Sequence, residues 1–556
     1  MKDVAAGNNN RTVLEGHVHA PLQGEKPAGR TDPNSQLQVT LLLRRRSELP
    51  ELCSAFGSKF PHTRQHLTRE ALAAQHGPIS EDIAQVKRFA IEHQLELGES
   101  AGYRHGVVLS GTAASIERAF GLSLVEFEHP RANYRAATGS VSVPHELSGI
   151  VQGVLGLTTR PCARRTTVHH DTIKPFWTAC EMAKAYGFPP SLNAARQSIA
   201  LIELGGGYHI EDLQKFFSSL SMPMPSIRWV GVGGVENSPA PADQVRQFLD
   251  VVEGKRKLAD VPEDVLIVAQ TTLEVTMDIE LAGALAPGAE IVVYMAPNTE
   301  QGIHDAVSQA ISGRETPPAS LSISWGEPET GVSDVYLNSV NEVLRDAAML
   351  GVTVCVSSGD EGAMNGSMDG KPVVNFPAAS PHVLSCGGSA VKSVHGEKVL
   401  ESAWNCALHG MRGATGGGVS RRFQPPQWQE KHGVPLAPTG SEGRGVPDVA
   451  GPADPHRGCA LIVGGECCSS AGTSAVAPLW AALIACINST LNTRCGYITP
   501  LLYELAKHNL KPLREITEGN NGFYEAGPGW NACTGLGSPR AGALIAALRG
   551  KAEPAR

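Results

Sequence analysis

The sequence predicts an α/β protein, a doubly wound parallel sheet covered by helices on both faces, preceded by a smaller α+β unit. Three observations predict it. Strand-like runs in the larger, C-terminal part are apolar almost throughout instead of alternating, the pattern of strands buried on both faces. Those runs alternate with segments of helical period. The chain has 556 residues, of which 42% are hydrophobic and 18% charged, so about two to four units with ample core are expected.

Taken in order, residues 1–36 are rich in Gly, Asn, Pro and charge and read as a flexible arm. Leu37 to Leu43 reads as a strand, Glu81 to His93 as an amphipathic helix, Gly106 to Ser110 as a strand, Ala114 to Phe120 as a helix and Leu122 to Phe127 as a strand. Residues 37–159 therefore form a domain-sized α+β unit. Residues 160–174, Arg-Pro-Cys-Ala-Arg-Arg-Thr-Thr-Val-His-His-Asp-Thr-Ile-Lys, have no periodicity and read as a linker. Within 175–556, Ser198 to Leu204, Ile227 to Val232, Ile291 to Met295, Ser320 to Ser324 and Val352 to Val356 are strand candidates. Glu211 to Leu220, Leu273 to Leu285, His304 to Ile311 and Val335 to Met349 are the helices between them.

The net charge of -8 and a pI near 6.2 argue against a nucleic-acid partner, and the basic run Arg44–Arg46 is short. The twelve cysteines repeat no CxxC spacing, so no zinc module is signalled, and Cys355 and Cys386 read as core thiols. From Met1 to about Gly29 there is no apolar segment of a secretory signal, and no run reaches the ~20 apolar residues of a membrane span. No membrane partner is expected.

Chemistry gathers beyond the carboxyl ends of strands in such sheets. The run from Cys468 to Pro478 ends a Gly- and Cys-rich segment and opens the apolar stretch Ala475 to Ile487, which puts Ser474 at a helix N-terminus. Backbone N–H donors and the helix dipole there suit an attacking oxygen whose partner becomes an oxyanion. A serine at that position also serves as a helix cap, and the motif alone leaves both readings open. Glu274 and Asp278 lie one turn apart on one helix face. On a solvated helix this is a mild repulsion; among Val275, Met277, Ile279 and Leu281 the pair is expected to be buried and to hold a proton. Asp360, in the Gly-Asp-Glu-Gly turn after the strand ending at Val356, shapes the turn or points into a site. No histidine has a setting that suits a serine partner, His169 and His170 lying in the linker, His304 opening a helix and His382 following a proline. A base for Ser474 must be another group.

These residues, with Ile202 through Tyr208, Asp278 through Gly288, Ile323-Ser324-Trp325-Gly326, Phe376 through Pro381, Cys386-Gly387-Gly388, Gly416 through Arg421, Gly445 through Ala450, Gly472 through Pro478 and Ala526 through Trp530, closely resemble the kumamolisin group of the sedolisin family, the serine-carboxyl peptidases. The resemblance spans nearly the whole chain. It implies a subtilisin-like catalytic domain behind a ferredoxin-like prodomain, and an acid-active endopeptidase made as a self-processing proenzyme. It implies Ser474 as nucleophile, Glu274 as general base, Asp278 as its proton-coupled orienting partner and Asp360 as oxyanion donor, with Glu203 and Trp325 behind them. Polypeptide substrates, the prodomain as intramolecular inhibitor, a monomer, an extracellular location and processing between about Arg165 and Lys174 also follow from it.

Substrate contacts are implied for Ser324, Gly326, Glu327 and Asn375. Glu327 and Glu361 stand where the family carries small residues, so a bulky acid is expected beside the cleft, and Asn375 stands where an Asp is found. The family's calcium site falls on Glu515, Ile516, Gly527, Gly529 and Asn531, with Glu and Asn in place of two Asp. One formal charge is thereby lost and one arm lengthened, so calcium should bind more weakly or give way to internal hydrogen bonds. The competing readings are a subtilisin-type protease, which lacks its histidine here, and a catalytically silent protein on the same fold.

Overall fold

Burial on both faces decides the large sheet. In the computed structural model, which describes residues 10–550 apart from 20, 23, 99–105, 131, 164–175, 314–315, 368, 397, 407–412 and 508–510, it is built from β10 (Ser198–Glu203), β11 (Ile227–Gly231), β12 (Glu290–Met295), β13 (Ser320–Ile323), β15 (Thr353–Ser357), β17 (Leu384–His395) and β18 (Lys398–Ala403) in the order β11-β12-β10-β13-β15-β17-β18. A further strand, β21 (Val449–Pro452), also pairs with β17. All pairings are parallel except β17 with β18. Strand β10 lies between β12 and β13, so the chain order reverses there and a crevice opens at the carboxyl ends.

Each face has its own core. One face is covered by α5 (Ala179–Ala185), α6 (Ile210–Ser219), α7 (Ala242–Val252), α8 (Glu263–Leu285) and α11 (Val476–Leu491), the other by α9 (Glu300–Ser312) and α10 (Asp334–Met349). Helix α8 starts ten residues before the apolar run that predicts it, and from Thr272 to Leu285 every residue is buried. Together with the preceding turn, α11 forms a helix at Thr473–Leu491 that is long and apolar enough to cross a membrane, contrary to the sequence expectation. Most of it is buried inside the protein, where a helix apolar on all sides belongs.

The N-terminal unit has a four-stranded sheet, β4-β5-β3-β9, from β3 (Gln36–Leu43), β4 (Glu96–Leu97), β5 (Gly106–Thr112) and β9 (Val151–Leu155), backed by α3 (Ser80–Glu92) and α4 (Ala113–Phe120). Two short helices, α1 (Leu52–Phe56) and α2 (Arg69–His76), reach toward α10 and α9. The expectation of a flexible arm over 1–36 is corrected for its described part. There, β1 (Arg11–Val13) pairs with β8 (Ser142–Pro144), and β2 (Lys26–Arg30) pairs with β6 (Ser123–Glu128), which pairs in turn with β7 (Tyr134–Thr138). Every residue of β2 is exposed, so it has no apolar pattern to read; it is held by its ladder hydrogen bonds and by the ion pair of Arg30 with Glu117.

The unit docks on α9 and α10. Leu42, Leu49, Leu52, Phe56 and Leu155 share the core of those helices. Arg45 bonds Glu342 and Asp346 at 2.9 Å each, His19 bonds Glu300 at 2.9 Å, Thr40 donates to Asp305 at 3.1 Å, and Arg69 donates to the Ser312 carbonyl at 2.7 Å. At the start of the linker, the Cys162 and Ala163 amides donate to Asn298 Oδ1 at 3.3 and 3.0 Å. The proposed processing segment from Arg165 to Lys174 lies outside the described residues.

Candidate active site

Three strand ends and two helices converge at the crevice. Glu203 ends β10, Ser324 and Trp325 follow β13, Asp360 follows β15, and Ser474 sits in a tight turn at Thr473–Ala475 that runs into α11. Helix α8 packs against that turn, and its Glu274 and Asp278 are both fully buried. Ser324 is the link. Its hydroxyl donates to Asp278 Oδ2 at 2.7 Å and lies 3.2 Å from the Ser474 carbonyl, and Ser474 Oγ lies 3.4 Å from the Ser324 carbonyl. Behind it, the Trp325 indole N–H donates to Glu203 Oε2 at 3.1 Å, with both side chains buried.

Asp360 is fixed from the serine side. Its Oδ1 accepts from the Thr473 amide at 2.7 Å and the Thr473 hydroxyl at 2.8 Å, while that hydroxyl also accepts from the Gly359 amide at 3.1 Å. Gly472 makes this approach possible. It has φ +108°, and a Cβ there would come within 2.5 Å of Asp360 Oδ2. Thr473 was not singled out from sequence, although its place between Gly472 and Ser474 is the signal that finds it.

The cleft above these groups is lined by Ser324, Gly326, Asp360, Glu361, Asn375 and Ser474, with Asn365 at its floor. Among the described residues that line it, none is a histidine; His304 bonds Asp305 near the N-terminal unit, and His382 is buried against Tyr497. Glu361 is exposed at the rim, as expected. Glu327 is not beside the cleft, and that expectation is corrected. It opens the two-residue strand β14 (Glu327–Pro328), antiparallel to β16 (Asn375–Phe376), and the alternation of side chains sends Pro328 to the cleft and Glu327 behind it. There Glu327 is 5% exposed and its charge acts on Cys162 and Tyr336.

Sequence reasoning missed one residue of the cleft lining and one buried acid close to Glu327 in the chain. Asn365, with φ +40°, donates to the Val373 carbonyl at 2.9 Å and holds its Oδ1 next to Gly359. Glu329 is fully buried and accepts from the Ser420 hydroxyl and the Arg421 amide, both at 2.6 Å. Burial pushes its carboxyl up to about 7 against those two hydrogen bonds.

The residues expected to hold calcium do not fit a cation. The Asn531 amide nitrogen donates to the carbonyls of Ile516 and Gly527 at 3.1 Å each, the oxygens a metal would need. Its Oδ1 accepts from the Cys533 amide at 3.1 Å and the Thr534 amide and hydroxyl at 2.9 and 3.0 Å, which locks the amide in that sense. Glu515 and Gly529 are exposed.

Comparison with known proteins agrees with this geometry. Residues 23–160 match the family model "Pro-kumamolisin, activation domain" and residues 266–513 match the subtilase family model. The chain is 40% identical to kumamolisin from Bacillus sp. (strain MN-32), with 98% of each chain covered. It is 26% identical to sedolisin from Pseudomonas sp. (strain 101), over 96% of this chain and 90% of the relative. The solved structure of Pseudomonas sedolisin, a serine-carboxyl proteinase complexed with pseudo-iodotyrostatin, superposes with a TM-score of 0.56 at 25% identity. That match covers 70% of this chain and all of the other.

Proposed function

The chain belongs to the kumamolisin group of the sedolisin family and is a serine-carboxyl peptidase made as a proenzyme with its own activation domain; from that premise we propose that it cleaves polypeptides in acid through an acyl-enzyme on Ser474. The observation that carries the assignment is the pair of bonds at Ser324, whose hydroxyl donates to Asp278 and whose carbonyl faces the Ser474 hydroxyl, with Asp360 clamped beside them by Thr473.

Ser474 Oγ attacks the scissile carbonyl carbon while its proton passes to Glu274. The C–N bond then breaks as Glu274 returns that proton to the leaving amine, and water, deprotonated in turn by Glu274, hydrolyses the ester. Asp278, fixed by the Ser324 hydroxyl, shares a proton with Glu274 one turn away, so the pair accepts charge without two carboxylates facing each other in a dry site. Trp325 holds Glu203 behind them. Asp360 donates to the developing oxyanion, which requires it to be protonated. Its Oδ1 already accepts twice from Thr473, so the acid proton belongs on Oδ2. That requirement supports an acidic working range.

The docked N-terminal unit acts as the intramolecular inhibitor. On the family resemblance the mature enzyme works outside the cell as a monomer, released by cleavage between about Arg165 and Lys174. The loop at Glu515 to Asn531 is closed by the Asn531 amide in place of calcium. Substrate side chains meet Asn375 and Asn365 at the cleft floor, where amide oxygens favour N–H donors without demanding a charge.

The test compares the wild-type proenzyme with Ser474→Ala after incubation at about pH 4, where model carboxyls begin to protonate. The wild type is expected to shorten by its N-terminal unit and then cleave a denatured protein, with activity falling toward neutrality, while Ser474→Ala stays full length. Two intact, inactive proteins would favour the catalytically silent reading, and a neutral optimum would overturn the roles given to Glu274 and Asp360.

A further inference from the structure

Behind the oxyanion loop lies a group of side chains that the proposed reaction does not use. Cys406, Asp454 and His456 come from two segments far apart in sequence, and their ligand atoms all lie within 4.8 Å of one another. Cys406 Sγ is 3.9 Å from Asp454 Oδ1, and His456 Nδ1 is 2.8 Å from the same oxygen. Two features fix the sulfur. Cys406 is buried at the end of a segment whose amide bonds the Gly413 carbonyl, and the fully buried Trp404 donates its indole N–H to Sγ at 3.0 Å. Asp454 is fixed as the cap of the short helix Pro455–Arg457, accepting from the His456 amide at 2.9 Å.

Thiolate, imidazole and carboxylate are the donor set of zinc, which binds sulfur at about 2.3 Å and nitrogen or oxygen at about 2.0–2.2 Å in a tetrahedron with one place left for water. A tetrahedron with those bond lengths separates its ligand atoms by about 3.4–3.6 Å. Two of the separations, 2.8 and 3.9 Å, lie on either side of that range, so closing the site calls for adjustment of these side chains, with His456 partly exposed. The Trp404 N–H directed at the sulfur is the outer-shell hydrogen bond that a bound thiolate uses.

We propose that Cys406, Asp454 and His456 form a three-ligand site for a thiophilic divalent cation of the zinc type, separate from the catalytic groups and from the Glu515 to Asn531 loop. Binding forms the metal–sulfur bond and sends the thiol proton to solvent, with no change of oxidation state. The site is coupled to the oxyanion loop by one strip of chain. The Ala414 amide bonds the Asp360 carbonyl at 2.9 Å, and Ala414 also bridges to Asn405, next to Cys406.

The experiment uses the full-length Ser474→Ala protein at neutral pH, stripped with chelator and titrated with Co²⁺ alone. One equivalent is expected to produce a thiolate-to-cobalt charge-transfer band in the near ultraviolet, and one equivalent of Zn²⁺ to bleach it. Cys406→Ser should lose the band altogether. His456→Gln, a change at a partly exposed position that leaves the fold intact, should weaken cobalt binding by more than about tenfold, since loss of an outer-shell partner already costs about 10–100-fold. Absence of the band in the parent protein, or its persistence in Cys406→Ser, would overturn the site.

Discussion

The substrate cleft and the C-terminal loop from Glu515 to Asn531 rest on the same family frame but treat their acids in opposite ways. Around the cleft Glu274, Asp278 and Asp360 are all present and all buried, and Glu329, bonded to Ser420 and Arg421, is fully buried as well. In the loop an amide replaces a carboxylate, and its N–H group satisfies the carbonyls of Ile516 and Gly527. The difference teaches what each carboxyl is for. On the proposed mechanism the base Glu274, which must take up and return a proton, has no amide substitute, whereas a group whose task is to neutralise a cation becomes dispensable once hydrogen bonds close the same loop.

The sharpest way to break that comparison is at the base. Glu274→Gln keeps the shape of the buried site and removes the proton acceptor, so cleavage of a denatured protein at about pH 4 should fall by about 10³-fold or more, with the melting temperature preserved. Retained turnover would remove Glu274 from the mechanism. Next is the oxyanion donor. Asp360→Ala should lower kcat by about 10²–10³. Asp360→Asn donates through an amide at any pH, so it should retain more activity than Asp360→Ala and extend the pH–rate profile toward neutrality; an unmoved acid limit would mean that Asp360 does not set it.

Glu329 sharpens the same contrast through stability. Its folded-state value of about 7 lies above the ordinary 4.5, so the folded protein binds an extra proton between those values. The contribution is fully present below about pH 4.5 and is lost as pH rises through about 7, by about 3 kcal/mol at most. In the Ser474→Ala background, Glu329→Gln should flatten the fall in melting temperature across that window, and an unchanged slope would acquit Glu329. The smallest effect concerns the loop. Wild-type melting should be unchanged by added calcium, whereas Asn531→Asp, which withdraws the N–H donors and restores a charge, should gain about 2.7 kcal/mol when calcium is a hundredfold above its dissociation constant. Calcium-dependent melting of the wild type would reverse the contrast between the two regions.

Local pattern made much of this molecule readable. The mostly apolar runs at 198–204, 291–295 and 352–356 needed two buried faces and therefore a parallel sheet, and Ser474, Asp360 and the Glu274/Asp278 pair each stand out as candidates within a few residues. Strand β2 gave no such signal because all five of its side chains are exposed. Glu327 was misplaced because one step along a two-residue strand reverses the face of a side chain, and nothing in the local sequence fixes that phase.

By itself the sequence determined the two-part organisation and the sheet type, because each depends on periodicity, and it offered Ser474, Asp360 and the Glu274/Asp278 pair as candidates whose catalytic roles are implied by the family resemblance. Only the tertiary structure decided that Ser324 ties Asp278 to the Ser474 turn, that Asn531 faces the carbonyls of its loop, and that Cys406 meets Asp454 and His456. Apart from the Gly527 carbonyl, four residues from Asn531, those are distances between segments 15 to 150 residues apart, and packing, not propensity, sets them.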